Sequence, residues 1–314
     1  MTTILGAGGA IADELVKELS KEKERVRLAS RNPKPLPGSA ETVAADISDL
    51  TQTVAAVSGS TTLYLLVGLK YDRAVWEELW PRIMHNTIEA CKRAGAKLIF
   101  FDNVYMYGKV DGPMTEQTPF NPCSKKGEIR ARIATTLLEE MKAHALTALI
   151  ARCPDFYGPG AKNGMPNVLV FDNFAHGRPA YWLVNDSVRH SFAFTPDVAK
   201  SLVALARGDS AWNQTWHVPA NANPPTGKEF IELVANQFGV PPRYRLLNRP
   251  IIKATGWFNK TIGETYEMLY QYDREYLFDS TKFSRAFAFE PTSYAEGIRF
   301  TANAYKGQLG SIAA

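Results

Sequence analysis

A glycine-rich stretch near the start of the chain has the residue types and spacing of a phosphate-binding loop. It runs from Gly6 to Gly9, follows a short apolar segment and precedes helix-forming residues. A strand, a tight turn and a helix in this order bring backbone N–H groups and the positive helix end against a pyrophosphate. Gly6 allows the sharp turn and Gly9 allows close approach of the backbone. We predict dinucleotide binding, with contacts from Gly6, Gly9, Ala10 and Ile11; an ordinary glycine turn is the alternative.

The residues after the second predicted strand indicate which dinucleotide this loop would bind. NAD-binding enzymes usually place a carboxylate there to hold the ribose hydroxyls. This chain has Ser30 and Arg31 instead, followed by Asn32. A hydroxyl and a planar guanidinium suit a 2′-phosphate, so we predict NADP in preference to NAD. The alternative is that Arg31 is a solvated loop residue.

Further cofactor contacts are expected at the carboxyl ends of other strands, where parallel α/β sheets bind their ligands. Asp46 and Ile47 follow the third predicted strand and would lie beside the adenine, with the carboxylate accepting a hydrogen bond from its amino group. Capping a helix is the alternative role for Asp46. Val67 ends a later predicted strand, and Gly68 and Phe156 follow later strands; we predict that all three also contact the cofactor.

All of these residues depend on strands that alternate with helices through the first half of the chain. Strands separated by helices need crossover connections, so the sheet should be parallel and covered on both faces, as in a doubly wound Rossmann fold. We predict strands at 2–5, 25–29, 42–45, 62–67, 97–101 and 147–151, and helices at 10–20, 49–58, 71–94 and 124–144.

The second half of the chain has a different composition, rich in Pro, Gly, Asn and aromatic residues. We therefore predict an α/β protein in which residues 1–154 form a dinucleotide-binding domain. Residues 155–314 should form mainly a smaller, mixed α/β lobe that binds substrate. Segments near 190–210 and 275–284 are expected to return to the first domain.

Composition narrows the functional class. The 314 residues are 45% hydrophobic and 22% charged, with a net charge of +4. Basic and acidic residues are interleaved, which argues against a nucleic-acid partner. The three cysteines lack metal-site spacing, so we expect reduced thiols and no metal. Neither a signal sequence nor an apolar run of about 20 residues occurs, so we predict a cytoplasmic protein with no membrane partner.

Several segments together resemble a known family, the extended short-chain dehydrogenases, in the epimerase/dehydratase branch that includes nucleotide-sugar epimerases. The resemblance implies a Rossmann fold, a nicotinamide dinucleotide and a small carbonyl or sugar-like substrate. It rests on Gly6-x-x-Gly9-x-x-Ala12, Asp46-Ile47, Val104-Tyr105-Met106-Tyr107-Gly108, Thr115-Glu116-Gln117-Thr118-Pro119, the segment 152–160 and the segment 190–199.

The resemblance also implies a catalytic centre, which this chain fills with different residues. The family uses a Ser or Thr after the fifth strand, then a Tyr and, four residues later, a Lys on the next long helix. The Tyr exchanges a proton with the substrate oxygen, and the Lys assists it and holds the nicotinamide ribose. The matching positions here hold Asn103, Lys126 and Arg130. Residues 124–144 contain no tyrosine, so no shifted alignment restores the motif.

Three interpretations of this altered centre stay open. In the first, which we favour, the protein is an enzyme: Lys126 protonates a developing alkoxide, Arg130 keeps the ribose contact and Asn103 donates to the substrate oxygen. Lys126 and Arg130 are then both expected to contact the cofactor. In the second, the protein binds NADP(H) as a sensor and catalyses nothing. In the third, Lys126 and Arg130 are solvated helix residues, and the chemistry takes place elsewhere in the C-terminal lobe.

The resemblance finally implies a homodimer formed through a four-helix bundle. The matching helices are those predicted at 71–94 and 124–144, and each carries an apolar stripe at helical spacing. The alternative is that both stripes cover the parent sheet. The stripes consist of Leu79, Ile83, Thr87 and Ala90, and of Ile133, Leu137 and Met141.

Overall fold

The computed structural model describes residues 1–313, and side chains are described for residues 1–260 and 262–307. The strands, in chain order, are β1 (Thr2–Leu5), β2 (Val26–Ser30), β3 (Ser39–Ala44), β4 (Thr62–Leu65), β5 (Lys97–Asp102), β6 (Ala148–Arg152), β7 (Asp155–Tyr157), β8 (Ala180–Leu183), β9 (Phe192–Phe194), β10 (Thr215–His217) and β11 (Tyr244–Leu247). The α-helices are α1 (Ala10–Lys21), α2 (Leu50–Val57), α3 (Arg73–Ala94), α4 (Lys125–Lys142), α5 (Asp172–Ala175), α6 (Thr195–Arg207), α7 (Gly227–Phe238), α8 (Arg249–Gly256), α9 (Lys260–Thr265), α10 (Thr281–Phe287) and α11 (Tyr294–Ala313).

The chain folds into two compact units. Unit 1 comprises Met1–Gly108, Pro119–Cys153 and Val198–Val218, and unit 2 contains the other described residues. Residues 275–284, which we expected to return to the first domain, belong to unit 2 instead. No helix in the described part of the chain is long and apolar enough to cross a membrane.

A seven-stranded parallel sheet forms the centre of unit 1. Its strand order is β10-β6-β5-β4-β1-β2-β3, and each adjacent pair is parallel. β1 lies between β2 and β4, so the strand order reverses direction beside it. In open α/β sheets such a switch point is where ligands bind, beyond the carboxyl ends of the strands. The glycine loop leaves β1 at this end, which confirms the predicted doubly wound Rossmann fold.

The strands and helices predicted for the first half are all present, with ends within three residues of the prediction. The seventh strand of the sheet, β10, was not predicted. It is only three residues long and pairs with β6 at the sheet edge.

The apolar stripes of α3 and α4 are buried in the core of unit 1. Ile83 and Ala90 of α3 pack there, as do Ile133 and Leu137 of α4. Both stripes therefore cover the sheet of their own chain, which is the alternative to a role in a dimer interface.

Unit 2 is built from two parallel strand pairs and surrounding helices. β8 pairs with β11, and β7 pairs with β9. Its core is largely aromatic, with Tyr157 stacked against Phe171 and Phe230 packed edge-on against both rings.

Candidate functional site

The glycine loop is held close to the end of β4 by Gly6. Its φ of +96° lies in the left-handed region, and a Cβ there would stand 2.7 Å from the Cα of Val67. The N–H groups of Gly6 and Ala7 both donate to the carbonyl of Ala29, at 3.0 and 3.4 Å. Only glycine satisfies both the conformation and the contact, so this position fixes the turn.

The start of α1 leaves room for a ligand. Gly9 is the N-cap residue, and no side chain caps the first N–H groups of the helix. A Cβ on Gly8 or Gly9 would meet nothing within 4 Å. Gly8 also has a positive φ of +97°, a requirement that we did not predict from the sequence. Uncapped N–H groups facing open space at the switch point of the sheet fit the pyrophosphate of a dinucleotide.

Ser30 and Arg31 lie at the end of β2, as predicted. Ser30 is half-buried, whereas Arg31 is exposed. The Asp46 carboxylate accepts bonds from the Ser48 hydroxyl at 2.7 Å and the Ser48 N–H at 2.9 Å. These bonds lower the pKa of Asp46, and the charge of Arg31 contributes to the same shift. The Asp46 side chain thus stabilises its own loop. The N-cap of α2 is Asp49 and not Asp46.

The other predicted cofactor residues fall in different surroundings. Ile47 is buried in the core of unit 1, and its carbonyl accepts a bond from the Asn86 amide at 3.1 Å. Val67 is half-buried and Gly68 is exposed in the loop after β4. Phe156 lies on β7 and so belongs to unit 2.

Arg130 is buried beside Asp102 at the end of β5. Its Nε donates to Asp102 Oδ1 at 2.7 Å, and its Nη2 donates to the same oxygen. The guanidinium also lies over Trp80, 4.3 Å from the ring centre. Burial raises the pKa of the Asp102 carboxyl, while the charges of Arg130 and Arg152 oppose that shift. The Asp102 carboxylate is therefore the ion-pair partner of Arg130 and holds its guanidinium in place.

Lys126 lies one turn before Arg130 on the same face of α4, and its side chain has no exposed surface. Its Nζ lies 4.6 Å from the centre of the Tyr71 ring. The interpretation of Lys126 and Arg130 as solvated helix residues is therefore wrong. A lysine is seldom fully buried in a protein, so this position indicates a specific role. The neighbouring Lys125 is exposed and pairs with Glu128 at 3.0 Å.

Asn103 is half-buried in the loop after β5. Its Oδ1 accepts a bond from the Tyr105 N–H at 3.1 Å, which leaves the Nδ2 group as a hydrogen-bond donor. The start of α4 lies close to this loop because residue 127 is glycine. A Cβ on Gly127 would stand 2.6 Å from the Tyr105 carbonyl oxygen. Asn103, Lys126 and Arg130 are thus held by two segments of unit 1 that touch at Gly127.

Tyr105 and Tyr107 have structural partners. The Tyr105 ring stacks on Trp76, with ring centres 6.3 Å apart. The hydroxyl of Tyr107 is 2.8 Å from His217 Nε2 and 2.7 Å from Arg152 Nη1, and all three residues are buried. Tyr107 therefore belongs to a buried polar network that links β6 and β10.

The roles of Gly127 and of the tryptophans around Arg130 were not predicted from the sequence. A glycine inside an exposed-looking helix costs about 1 kcal/mol relative to alanine, and this was an available signal. Trp76 and Trp80 lie one turn apart on α3, but nothing in their spacing distinguishes packing on a cation from ordinary core packing.

In unit 2, His190 lies inside an aromatic cluster. Its Nε2 is 3.1 Å from Asp155 Oδ2, which also accepts a bond from the Tyr272 hydroxyl at 2.7 Å. The imidazole stacks on Phe192 and Tyr276, with ring centres 4.5 and 4.4 Å away. These contacts are those of a structural histidine.

Comparison with solved structures shows that the fold is shared widely. The UDP-glucose 4-epimerase of Thermus thermophilus, in complex with NAD, is 18% identical with a TM-score of 0.79, over 98% of this chain and 99% of that one. MoeE5, in complex with UDP-glucuronic acid and NAD, is 20% identical with a TM-score of 0.80, over 98% and 99%. A DesIV double mutant (dTDP-glucose 4,6-dehydratase) from Streptomyces venezuelae, with NAD and DAU bound, is 16% identical with a TM-score of 0.79, over 99% and 98%. Sequence identities this low show that the fold is similar and nothing more.

Sequence comparison gives the family. No curated protein sequence matches the chain. The model of the NAD dependent epimerase/dehydratase family matches residues 2–218, which include the glycine loop, Asn103 and the whole of α4. With more than half of its length matched, the chain belongs to the NAD dependent epimerase/dehydratase family.

Proposed function

We propose that this protein is an NADP(H)-dependent oxidoreductase or epimerase-like enzyme that acts on a small carbonyl or sugar-like substrate. The observation that carries the proposal is Lys126, a lysine with no exposed surface in the place where the family has its acid. Burial keeps water away from the amine and so limits the loss of its proton to solvent. The similar epimerase and dehydratase structures with NAD bound support the class of cofactor.

The dinucleotide would be held by the loop and by the ends of β2 and β4. A bound nicotinamide supplies or accepts hydride at the substrate carbon. Gly9, Ala10 and Ile11 offer the helix N-terminus to the pyrophosphate, and the exposed Arg31 beside Ser30 offers a guanidinium and a hydroxyl to a 2′-phosphate. NAD lacks that phosphate, so this pair favours NADP.

The three residues of the centre would have distinct roles. Lys126 donates a proton to the substrate oxygen when hydride arrives, and takes it back in the reverse direction. Asn103 orients that oxygen through Nδ2, because its Oδ1 is already bonded to Tyr105. Arg130 acts as a positioning residue, because both of its observed hydrogen bonds go to Asp102. It supports the β5 loop and adds positive charge beside Lys126.

Replacing each of two adjacent lysines tests this assignment. Lys126→Met keeps a side chain of similar length and removes the proton donor, so turnover of a panel of ketones, aldehydes and nucleotide sugars should fall at least 100-fold. NADPH affinity should change less than threefold. Lys125→Met is the matched control, because Lys125 is exposed, and it should leave turnover unchanged. Full activity of Lys126→Met would refute the proposal.

One observation favours a second function, that of a catalytically silent NADP(H) sensor. Helix α4 contains no tyrosine, and Arg130 is bonded to Asp102. A protein whose only task is to bind the dinucleotide needs neither a phenol nor a cation at the reacting carbon. Tight NADPH binding by the unaltered protein, with no turnover on any member of the panel, would establish the sensor.

We also propose that the protein is a cytoplasmic homodimer. Cys91, Cys123 and Cys153 are all thiols, which suits a reducing compartment. Since the apolar stripes of α3 and α4 are buried within one chain, a second copy would contact their outer, charged faces, which include Glu77 and Arg82. Light scattering of the purified protein measures the mass directly, and a monomer at micromolar concentration would contradict the dimer.

A further inference from the structure

The most exposed aromatic residues of the described chain lie at the tip of a short helical hairpin in unit 2. We define the exposed hairpin as α8, α9 and the residues that connect them, 249–265. Trp257 is 83% exposed and Phe258 is 93% exposed. Large apolar side chains exposed to this degree and adjacent in sequence usually mark an interaction surface. Ile251 and Leu246 add further exposed apolar surface nearby.

The fold holds this tip outward. A Cβ on Gly256 would lie 2.8 Å from the Cα of Gly263, so the two glycines allow α8 and α9 to touch. Ile252, one turn before Gly256 on α8, is buried in the core of unit 2. The side chains of Asn248 and Asn259 cap the two helices. The hairpin is therefore anchored through Ile252, whereas Trp257 and Phe258 are exposed at its tip.

The same segment concentrates positive charge. Residues 239–265, which include the exposed hairpin, contain five basic residues and one acid, Glu264, so their net charge of +4 equals that of the whole chain. Arg249 pairs with Asp273 at 2.5 Å. Arg243, Arg245 and Lys253 are exposed and make no ion pair with any described residue. Aromatic residues that protrude from a basic surface are typical of elements that bind at a membrane surface.

We propose that the exposed hairpin docks on an anionic lipid surface. Trp257 and Phe258 would enter the interfacial layer, where an indole keeps its N–H near water and buries its ring. Arg243, Arg245 and Lys253 would lie against the lipid phosphates. The absence of a spanning segment led us to predict no membrane partner from the sequence, but surface docking needs no spanning helix.

Charge and shape favour lipid over a protein partner. A second copy of the chain would bring the same positive surface against itself, which is repulsive. Two side chains at the tip of a hairpin, each more than four-fifths exposed, protrude instead of forming a flat patch. A protrusion enters a fluid layer readily, whereas a protein partner would need a complementary pocket.

Tryptophan fluorescence reports on this contact directly. The other five tryptophans are only 2–9% exposed, so a soluble quencher such as acrylamide reaches mainly Trp257. With vesicles of phosphatidylserine and phosphatidylcholine, we expect a blue shift, loss of quenching and sedimentation of the protein with the vesicles. Binding should weaken as salt is added. Vesicles of phosphatidylcholine alone should give at least tenfold weaker binding.

Substitutions in the hairpin and in the strand before it separate the apolar from the electrostatic contribution to vesicle binding. The double substitution Trp257→Ser and Phe258→Ser should lower vesicle binding, measured by sedimentation, at least tenfold. Arg245→Gln and Lys253→Gln should each lower it about fivefold, the effect of one basic residue at an anionic surface. Phe300→Ser is the matched control, since Phe300 is 57% exposed on α11, and it should leave vesicle binding unchanged. All variants should bind NADPH as the unaltered protein does.

Three results would overturn the proposal. The first is equal binding to anionic and neutral vesicles at low ionic strength. The second is protection of Trp257 that rises with protein concentration in the absence of lipid, which would assign the hairpin to a contact between copies. The third is protection by an acidic polypeptide such as polyglutamate but not by vesicles, which would assign it to a protein partner.

Discussion

At the scale of single residues, the glycines of the loop have separable roles. The fold of the protein requires glycine at position 6, because a Cβ there would meet the Val67 backbone at 2.7 Å. Gly9 has an ordinary φ of −98° and open space in front of it. Its replacement therefore tests ligand binding without testing the fold.

Gly9→Ala should change the free energy of unfolding by less than about 1 kcal/mol, since alanine is only a poorer N-cap than glycine. Its methyl group would occupy the space offered to the pyrophosphate, so NADPH affinity should fall at least tenfold. Urea unfolding and NADPH titration measure the two quantities. Gly6→Ala is the contrasting variant and should lose stability as well. If Gly9→Ala binds NADPH normally, the loop is an ordinary turn.

Asp102 and Arg130 form a buried ion pair in the candidate site. Asp102→Asn should destabilise the protein by about 3–5 kcal/mol, because it leaves the guanidinium buried without a carboxylate. Combining it with Arg130→Met removes both charges, and much of the lost stability should return. Urea unfolding of the two single variants and the double variant gives the coupling energy. Additive losses would mean that the pair is not coupled.

At the scale of elements, the contact between α4 and the loop after β5 depends on Gly127. Replacing a helical glycine by alanine gains up to about 1 kcal/mol in helix propensity. Here the added Cβ would stand 2.6 Å from the Tyr105 carbonyl oxygen, so the start of the helix must move. Since that movement shifts Lys126, the residue next to Gly127, Gly127→Ala should lower both thermal stability and turnover.

A second helical glycine provides the control for this prediction. Gly307 lies on α11, where a Cβ would meet nothing within 4 Å. Gly307→Ala should therefore raise the midpoint of thermal unfolding slightly and leave turnover unchanged. Scanning calorimetry and the substrate panel compare the two variants. A stabilised and active Gly127→Ala would show that the loop and the helix can separate without consequence.

The elements also show what the sequence could predict. Buried parallel strands appear as short apolar runs between amphipathic helices, so β1, β4 and β5 were found with nearly correct ends. β10 has only three residues and gives no such pattern. Alternating charge at the start of α4 matches an exposed helix, yet Lys126 is buried. Its burial depends on contacts with Tyr71 on another segment, which spacing along one helix cannot reveal.

At the scale of the whole molecule, dinucleotide binding should raise the free energy of unfolding and the thermal midpoint of the protein. A ligand that binds only the folded state stabilises it by about 2.7 kcal/mol at 100 times its Kd. With equal concentrations of NADPH and NADH, the larger thermal shift should come from NADPH, because Arg31 and Ser30 can hold the 2′-phosphate.

Arg31→Ala should reduce the shift given by NADPH to that given by NADH and leave the NADH shift unchanged, because only the 2′-phosphate contact is removed. Lys34→Ala is the matched control, since Lys34 is an exposed cation three residues further on, and it should preserve the difference. Titration followed by tryptophan fluorescence gives the affinities that underlie both shifts. A preference of the unaltered protein for NADH by tenfold or more would contradict this assignment, because a hydroxyl and a guanidinium at the end of β2 would then confer no selectivity for the phosphate.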